Sequence, residues 1–138
     1  MALLMCNQGE GVALENILNK TAPQNMVLKL YKNDKTPADG DTEASYTVAD
    51  FTGYSDVTLT GASWTVTPGA PSEAAYAQQS FTSSADQATQ NVYGYYVVQA
   101  TSGKLMWSER FSDAPNPITN NGDIIKVTPK IQLKKTGE

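Results

Sequence analysis

The sequence predicts an all-β protein: an antiparallel β-sandwich or barrel, jelly-roll-like or immunoglobulin-like, with one short helix near the N-terminus. Three observations predict it. About seven or eight short stretches of aromatic and β-branched residues recur, separated by Gly, Pro, Asn and Ser turn signals at roughly 8–12-residue spacing. Charged residues make up 17% of the chain, below the roughly 25% of an average soluble domain, and Thr, Ser, Ala, Tyr and Val fill the difference. Helical periodicity is confined to one segment near the start.

That segment is 12–20. Leu14, Ile17 and Leu18 fall at i, i+3 and i+4, one face of a helix. Glu10 and Glu15 near its start and Lys20 at its end suit the helix dipole, and Pro23 stops it. So short a helix is not stable alone and must pack on the body or on a neighbour. Residues 1–24 therefore read as an N-terminal arm with a helix, and 25–138 as one β domain. Within the arm, 1–9 is expected to reach beyond the body, carrying Leu3, Leu4 and Met5.

The strands follow in order. In 26–31, Leu28 and Leu30 point one way and Lys29 and Tyr31 the other. Segment 33–42 is a polar loop with Pro37 and Gly40. Segment 51–59 is aromatic and β-branched, interrupted by Gly53. In 63–67, Trp64 and Val66 share a face, and 68–71 is a Pro/Gly turn. Segment 74–82 reads as one alternating strand anchored by Tyr76 and Phe81, and 83–90 as a polar loop. Segments 91–100 and 104–111 form the clearest hairpin, joined at Thr101-Ser102-Gly103, where Gly103 is free to take positive φ. Pro115 and Pro117 break the pattern, Asn120-Asn121-Gly122 is a turn, and 124–133 is a final strand in which Pro129 implies an edge or a bulge.

Composition excludes much chemistry. The chain has no histidine, which removes the commonest general base and metal ligand, and with them Ser–His–Asp, Cys–His and Cys/His zinc sites. Cys6 is the single cysteine, so no internal disulfide forms. No stretch of about 18 apolar residues spans a membrane, and Met1 to Leu4 is too short for a signal-peptide core. The net charge of −4, from 10 basic and 14 acidic residues, argues against non-specific nucleic-acid binding. The basic C-terminal part, Lys126, Lys130, Lys134 and Lys135, reads as a solvated strand edge, with an acidic partner as the alternative.

Few features suggest a site. Asp34, Asp39, Asp41 and Glu43 share one loop, but their spacing does not match an EF-hand, and a solvated acidic loop is expected. Tyr93, Tyr95 and Tyr96 lie on one arm of the hairpin and Trp107 on the other. Alternation splits the tyrosines between two faces, so at least one set is core; the rest, with Arg110, form a candidate interface patch, or a platform for sugars. Tyr54 adds to this supply of aromatics. Glu109, between Trp107 and Phe111 at two-residue spacing, faces the core if they do and then needs a partner, which suggests a structural or inter-subunit salt bridge. No second carboxylate is evident for acid catalysis through Glu109. No catalytic residue, metal or cofactor is expected.

The motifs also carry a resemblance. Gly-Glu before a short helix is followed by Leu28-Lys29-Leu30-Tyr31-Lys32-Asn33, Asp50-Phe51-Thr52-Gly53-Tyr54 and Leu59-Thr60-Gly61-Ala62-Ser63-Trp64. The most specific pieces are Tyr93-Gly94-Tyr95 with Trp107-Ser108-Glu109-Arg110-Phe111, and Ile125-Lys126-Val127-Thr128-Pro129-Lys130. Over nearly its whole length the chain resembles small virion structural proteins of tailed bacteriophages. The resemblance implies a non-enzymatic capsid decoration (cement) protein, assembled in the bacterial cytoplasm and placed on the capsid surface. Its implied partners are the major capsid protein and copies of itself, as a dimer or trimer. A tail or fibre component, or a carbohydrate-binding adhesin-like module, is the alternative. The candidate interface residues are then Leu3, Leu4, Met5, Leu14, Ile17 and Leu18 from the arm and helix, and Tyr93, Tyr95, Trp107 and Arg110 from the hairpin.

Overall fold

A computed structural model describes residues 3–135. Its strands are β1 (Leu4–Met5), β2 (Met26–Tyr31), β3 (Val57–Leu59), β4 (Thr65–Thr67), β5 (Ser72–Ala75), β6 (Gln79–Thr82), β7 (Gln90–Val92), β8 (Gly94–Gln99), β9 (Leu105–Arg110), β10 (Asn116–Ile118), β11 (Ile124–Val127) and β12 (Lys130–Leu133). The helix α1 spans Asn7–Ile17. All strand pairs are antiparallel. The expected all-β, sandwich-like fold with a short N-terminal helix is what forms, and no barrel closes.

The central layer is a five-stranded sheet in the order β1-β9-β8-β2-β3. Its inner face carries Leu28, Leu30, Leu59, Tyr95, Val97 and Trp107. Against it pack three small sheets, β10-β7, β11-β6 and β12-β5-β4, which contribute Ile118, Val92, Phe81, Ile125 and Val127. Trp64, Tyr76 and Ile131 close the core from the β12-β5-β4 side.

The opposite face of the central sheet is not left to solvent. Tyr31, Tyr96, Val98 and Leu105 form a second cluster there with Cys6 and Tyr46. Tyr46 stacks on Tyr96 with ring centroids 4.9 Å apart and tilts against Tyr31 at 4.8 Å. Both tyrosine sets of β8 are therefore core, one on each face.

Strand identity follows the periodicity, but three continuous-looking segments are each two strands in different sheets. The chain leaves β5 for β6 across residues 76–78, β7 for β8 at Tyr93, and β11 for β12 at Thr128-Pro129. At Tyr93 the backbone N–H turns to the Tyr31 carbonyl. Pro117, read as a breaker, sits inside β10, which has a partner on one side only and so leaves room for a residue without an N–H. The hairpin turn is as expected, with Gly103 at φ +71°.

The helix starts earlier than its apolar stripe. Cys6 is its N-cap, in extended backbone, and its Sγ accepts from the Gly9 amide at 3.4 Å while donating to the Leu105 carbonyl at 3.3 Å. Gly9 lies on the Met106 carbonyl of β9, where a Cβ would collide with backbone. The glycines that read as a helix boundary are inside the helix because this close approach requires one of them.

Candidate interaction surface

The inward face of α1 is set by Gly9 and Val12, the two buried positions on it. A small inward residue brings the helix down onto β9, and the larger side chains are rotated away from the core. Leu14 is 60% exposed, Ile17 73% and Leu18 73%, so of the two places expected for this stripe, the body or a neighbour, the body does not take it, and it stands as an outward ridge. Beside it, the core-side face of the β12-β5-β4 sheet carries an apolar row that runs out past the core into water. Val66, Ala74 and Ile131 are direct cross-strand neighbours, with Leu133 two residues beyond Ile131.

Helix and sheet enclose an open groove of about 380 Å³. Ala13 and Ile17 form one wall, Val66, Ile131 and Leu133 the other, with Leu3 and Met5 between them. A smaller recess of about 280 Å³ continues from it towards Trp64 and Trp107. Among the described residues, Glu73 is the one charged residue lining the groove, and it is engaged by Gln132 at 3.0 Å and Lys130 at 2.9 Å. These two contacts hold its carboxyl below the usual carboxylate range.

The arm departs from expectation. From Leu3 to Gly9 it does not reach away from the body: Leu4 and Met5 pair with Ser108 and Trp107 of β9, and Gly9 lies on β9. Leu3, Leu4 and Met5 are half-buried. Pairing β1 satisfies backbone groups at that edge of the central sheet, which a free arm would leave in water. Residues 1–2 lie outside the described residues.

The hairpin aromatics are also placed differently from an interface patch. Tyr95 and Trp107 are buried in the chain's own core, and Tyr54 and Tyr96 pack in the two clusters. Both faces of the central sheet are covered, so its aromatics have no free side to offer. Tyr93 is half-buried beneath the Arg110 guanidinium, 5.2 Å from the ring centroid. Arg110 reaches Asp34 at 2.7 Å and donates to the Lys35 carbonyl at 3.1 Å, so it fastens the 33–49 loop. No flat aromatic platform for a sugar lies on this hairpin.

Asp34 and Asp39 of that loop are exposed, as a solvated acidic stretch would have them, but Asp41 is not, and through it the loop clamps the second cluster. Asp41 is buried and pairs with Lys35 at 2.9 Å. The Ala38 amide and the Tyr46 hydroxyl donate to its other oxygen at 2.9 and 2.8 Å. Ser108 shares a 2.8 Å hydrogen bond with the Tyr46 hydroxyl. Glu43 pairs with Lys29 at 2.8 Å. Among the described residues, no group of three or more His, Cys, Asp or Glu is arranged to hold a metal ion.

Burial alone would raise the Asp41 carboxyl, but Lys35, Ala38 and Tyr46 outweigh it and hold it below its ordinary value. Its contribution to stability is therefore present above the ordinary Asp value of 3.8 and is lost as pH falls through that range. Asp41→Asn is expected to cost about 2–3 kcal/mol at neutral pH, because Lys35 loses its counter-charge beside a buried tyrosine. Urea denaturation checks it: the gap between variant and parent narrows at pH values below the Asp range.

A cleft of about 780 Å³ between β9 and the β11–β12 segment holds the remaining polar candidates. Glu109 lies in it opposite Tyr95, and burial pushes its carboxyl above the usual carboxylate range. Tyr95, desolvated, is raised well above an ordinary phenol. Lys126, Lys130 and Lys134 also line it, and Glu109 is its single carboxylate among the described residues, so the paired carboxylates of acid–base hydrolysis are not brought together.

Val66 and Leu133, 67% and 76% exposed, belong to the candidate surface and escape the sequence reading. Both sit on alternating strands whose pattern is that of any half-buried strand, and nothing local records that the helix stops short of covering them. No protein-family model matches the chain, and no curated protein matches it.

Proposed function

We propose that this chain is a non-enzymatic structural protein of a tailed-phage virion, a decoration protein that binds and stabilises the capsid shell. The observation that carries an assembly role is the apolar ridge and groove of α1 and the β12-β5-β4 sheet. Five large aliphatic side chains, Leu14, Ile17, Leu18, Val66 and Leu133, are 60–76% exposed, more than any other large hydrophobic of the described residues, while most of the remaining aromatics and aliphatics pack in two cores. Contiguous apolar patches of this kind mark contact surfaces. The choice of assembly rests on the resemblance of the 93–111 hairpin and the 125–130 strand to virion proteins. The acidic body and the basic C-terminal part supply opposite charges for contact with a shell subunit.

Co-sedimentation tests it. Purified protein mixed with capsid shells lacking it is expected to pellet with them saturably, at a fixed ratio to the major capsid protein, and to raise the shells' resistance to heat. A chain that stays in the supernatant at all concentrations contradicts the proposal.

A further inference from the structure

We infer that the ridge-and-groove face pairs with the same face of a second copy of this chain about a two-fold axis, each α1 ridge entering the other copy's groove. This rests on the assembly reading above and names the occupant of that face.

Three features select a second copy. The first is self-complementarity. Ile17 of the ridge lines the same groove as Val66, Ile131 and Leu133, and Leu14 and Leu18 are exposed at three residues before it and one after it. A two-fold operation brings ridge to groove twice at once and closes the assembly, whereas a head-to-tail arrangement leaves a ridge and a groove open unless it forms a ring.

The second is area. At about 25 cal/mol per Å² and about 1.5–3 kcal/mol per side chain, each large aliphatic corresponds to roughly 60–120 Å². The five side chains, 60–76% exposed, therefore leave roughly 200–400 Å² of apolar surface in water. A stable interface takes about 800 Å² from each partner, of which about 65% is apolar in a homodimer. Leu3, Met5 and Ile131, the half-buried aliphatics of the groove not among those five, add to it, so the face supplies a large part of that apolar share.

The third is charge. Among the described residues Glu73 is the one charged lining residue, and it is already paired with Lys130, which leaves a charge-depleted centre of the kind interfaces have. Lys130 also sits on the edge strand β12, where an exposed lysine discourages strand addition. The pairing is thus face to face, not a continuous sheet.

Sedimentation equilibrium of the full chain, from micromolar to millimolar, tests this. The expected result is a monomer–dimer equilibrium built on the 14.8 kDa chain. Ile17→Glu and Val66→Lys, both at exposed positions and so compatible with the fold, are each expected to weaken the dimer at least about 100-fold. Leu133→Lys gives an independent reading on the sheet wall, and circular dichroism identical to the parent shows that the fold is kept. An equimolar mixture of the Ile17→Glu and Val66→Lys chains is expected to recover a heterodimer, since the two new charges meet across the axis. A monomer over the whole range, a trimer, or a dimer that ignores all three substitutions overturns the inference. Shell binding is read separately. A monomer that still binds shells overturns only the pairing, and a dimer that does not bind them overturns only the decoration role.

Discussion

Replacing Gly94 with alanine is expected to cost the fold about 3 kcal/mol or more, a large share of its stability. Gly94 opens β8 and pairs with Tyr31 of β2 on one side and Arg110 of β9 on the other, so it is locked in the middle of the central sheet. A Cβ there would run into the Glu109 carbonyl and stand 2.6 Å from the Tyr31 ring and hydroxyl. Neither neighbour has room to yield. The carbonyl belongs to the sheet backbone. Tyr31 is fully buried, its hydroxyl donates to the Lys35 carbonyl at 3.1 Å, and burial pushes its phenol up to about 12. Overpacking between two fixed groups costs about 3 kcal/mol or more, against a total stability of about 5–15 kcal/mol for a domain. Urea denaturation followed by far-ultraviolet circular dichroism checks it. A variant within about 1 kcal/mol of the parent would show that β2 and β9 are not held as described.

Trp107→Ala has the next largest expected effect, about 3–5 kcal/mol. Trp107 is 2% exposed, pairs with Val97 of β8 and Met5 of β1, and meets Trp64 edge-on at 6.3 Å. It is thus the link between the central sheet and the β12-β5-β4 sheet that builds the groove. Its indole N–H is buried without a hydrogen bond of good geometry, although the Tyr95 phenol lies close enough to feel it. An unpaired buried donor is itself a cost. Trp107→Phe removes that donor while keeping an aromatic ring, so its expected loss is only about 1–2 kcal/mol despite the lost volume. The two variants also separate stability from association. Trp107→Ala loosens the sheet wall and is expected to weaken self-association as well, while Trp107→Phe leaves it unchanged.

The elements were largely legible in the chain, and their partners were not. Leu28 and Leu30 alternate with Lys29 and Tyr31, and that alternation identifies β2 and its two faces. Gly103 marks the hairpin turn because positive φ is cheap only for glycine there. Periodicity of two, however, continues unbroken when a chain crosses from one sheet to another. The breaks at Tyr93, at residues 76–78 and at Thr128-Pro129 are set by which backbone groups find partners across the fold.

The helix shows the same limit from the other side. Leu14, Ile17 and Leu18 announce a helix, and the usual inference is that such a stripe faces the core. Here Gly9 decides the orientation instead, since only a residue without a side chain lets α1 rest on the Met106 carbonyl. The acidic loop misled for a related reason. Asp41 looks as solvated in sequence as Asp34 and Glu43, whose side chains do reach water, and the bases of all three, Lys35, Arg110 and Lys29, come from loop and sheet positions up to 76 residues away.

The central proposal, that this chain decorates a capsid shell, is tested most directly by electron cryo-microscopy of shells lacking the protein, imaged before and after saturation with it. The result predicted is new density on the outer surface of the shell at symmetry-related positions, each accommodating the β-sandwich, with the α1 ridge turned towards a second copy. Unchanged shells, or density confined to the tail or its fibres in intact particles, would contradict it.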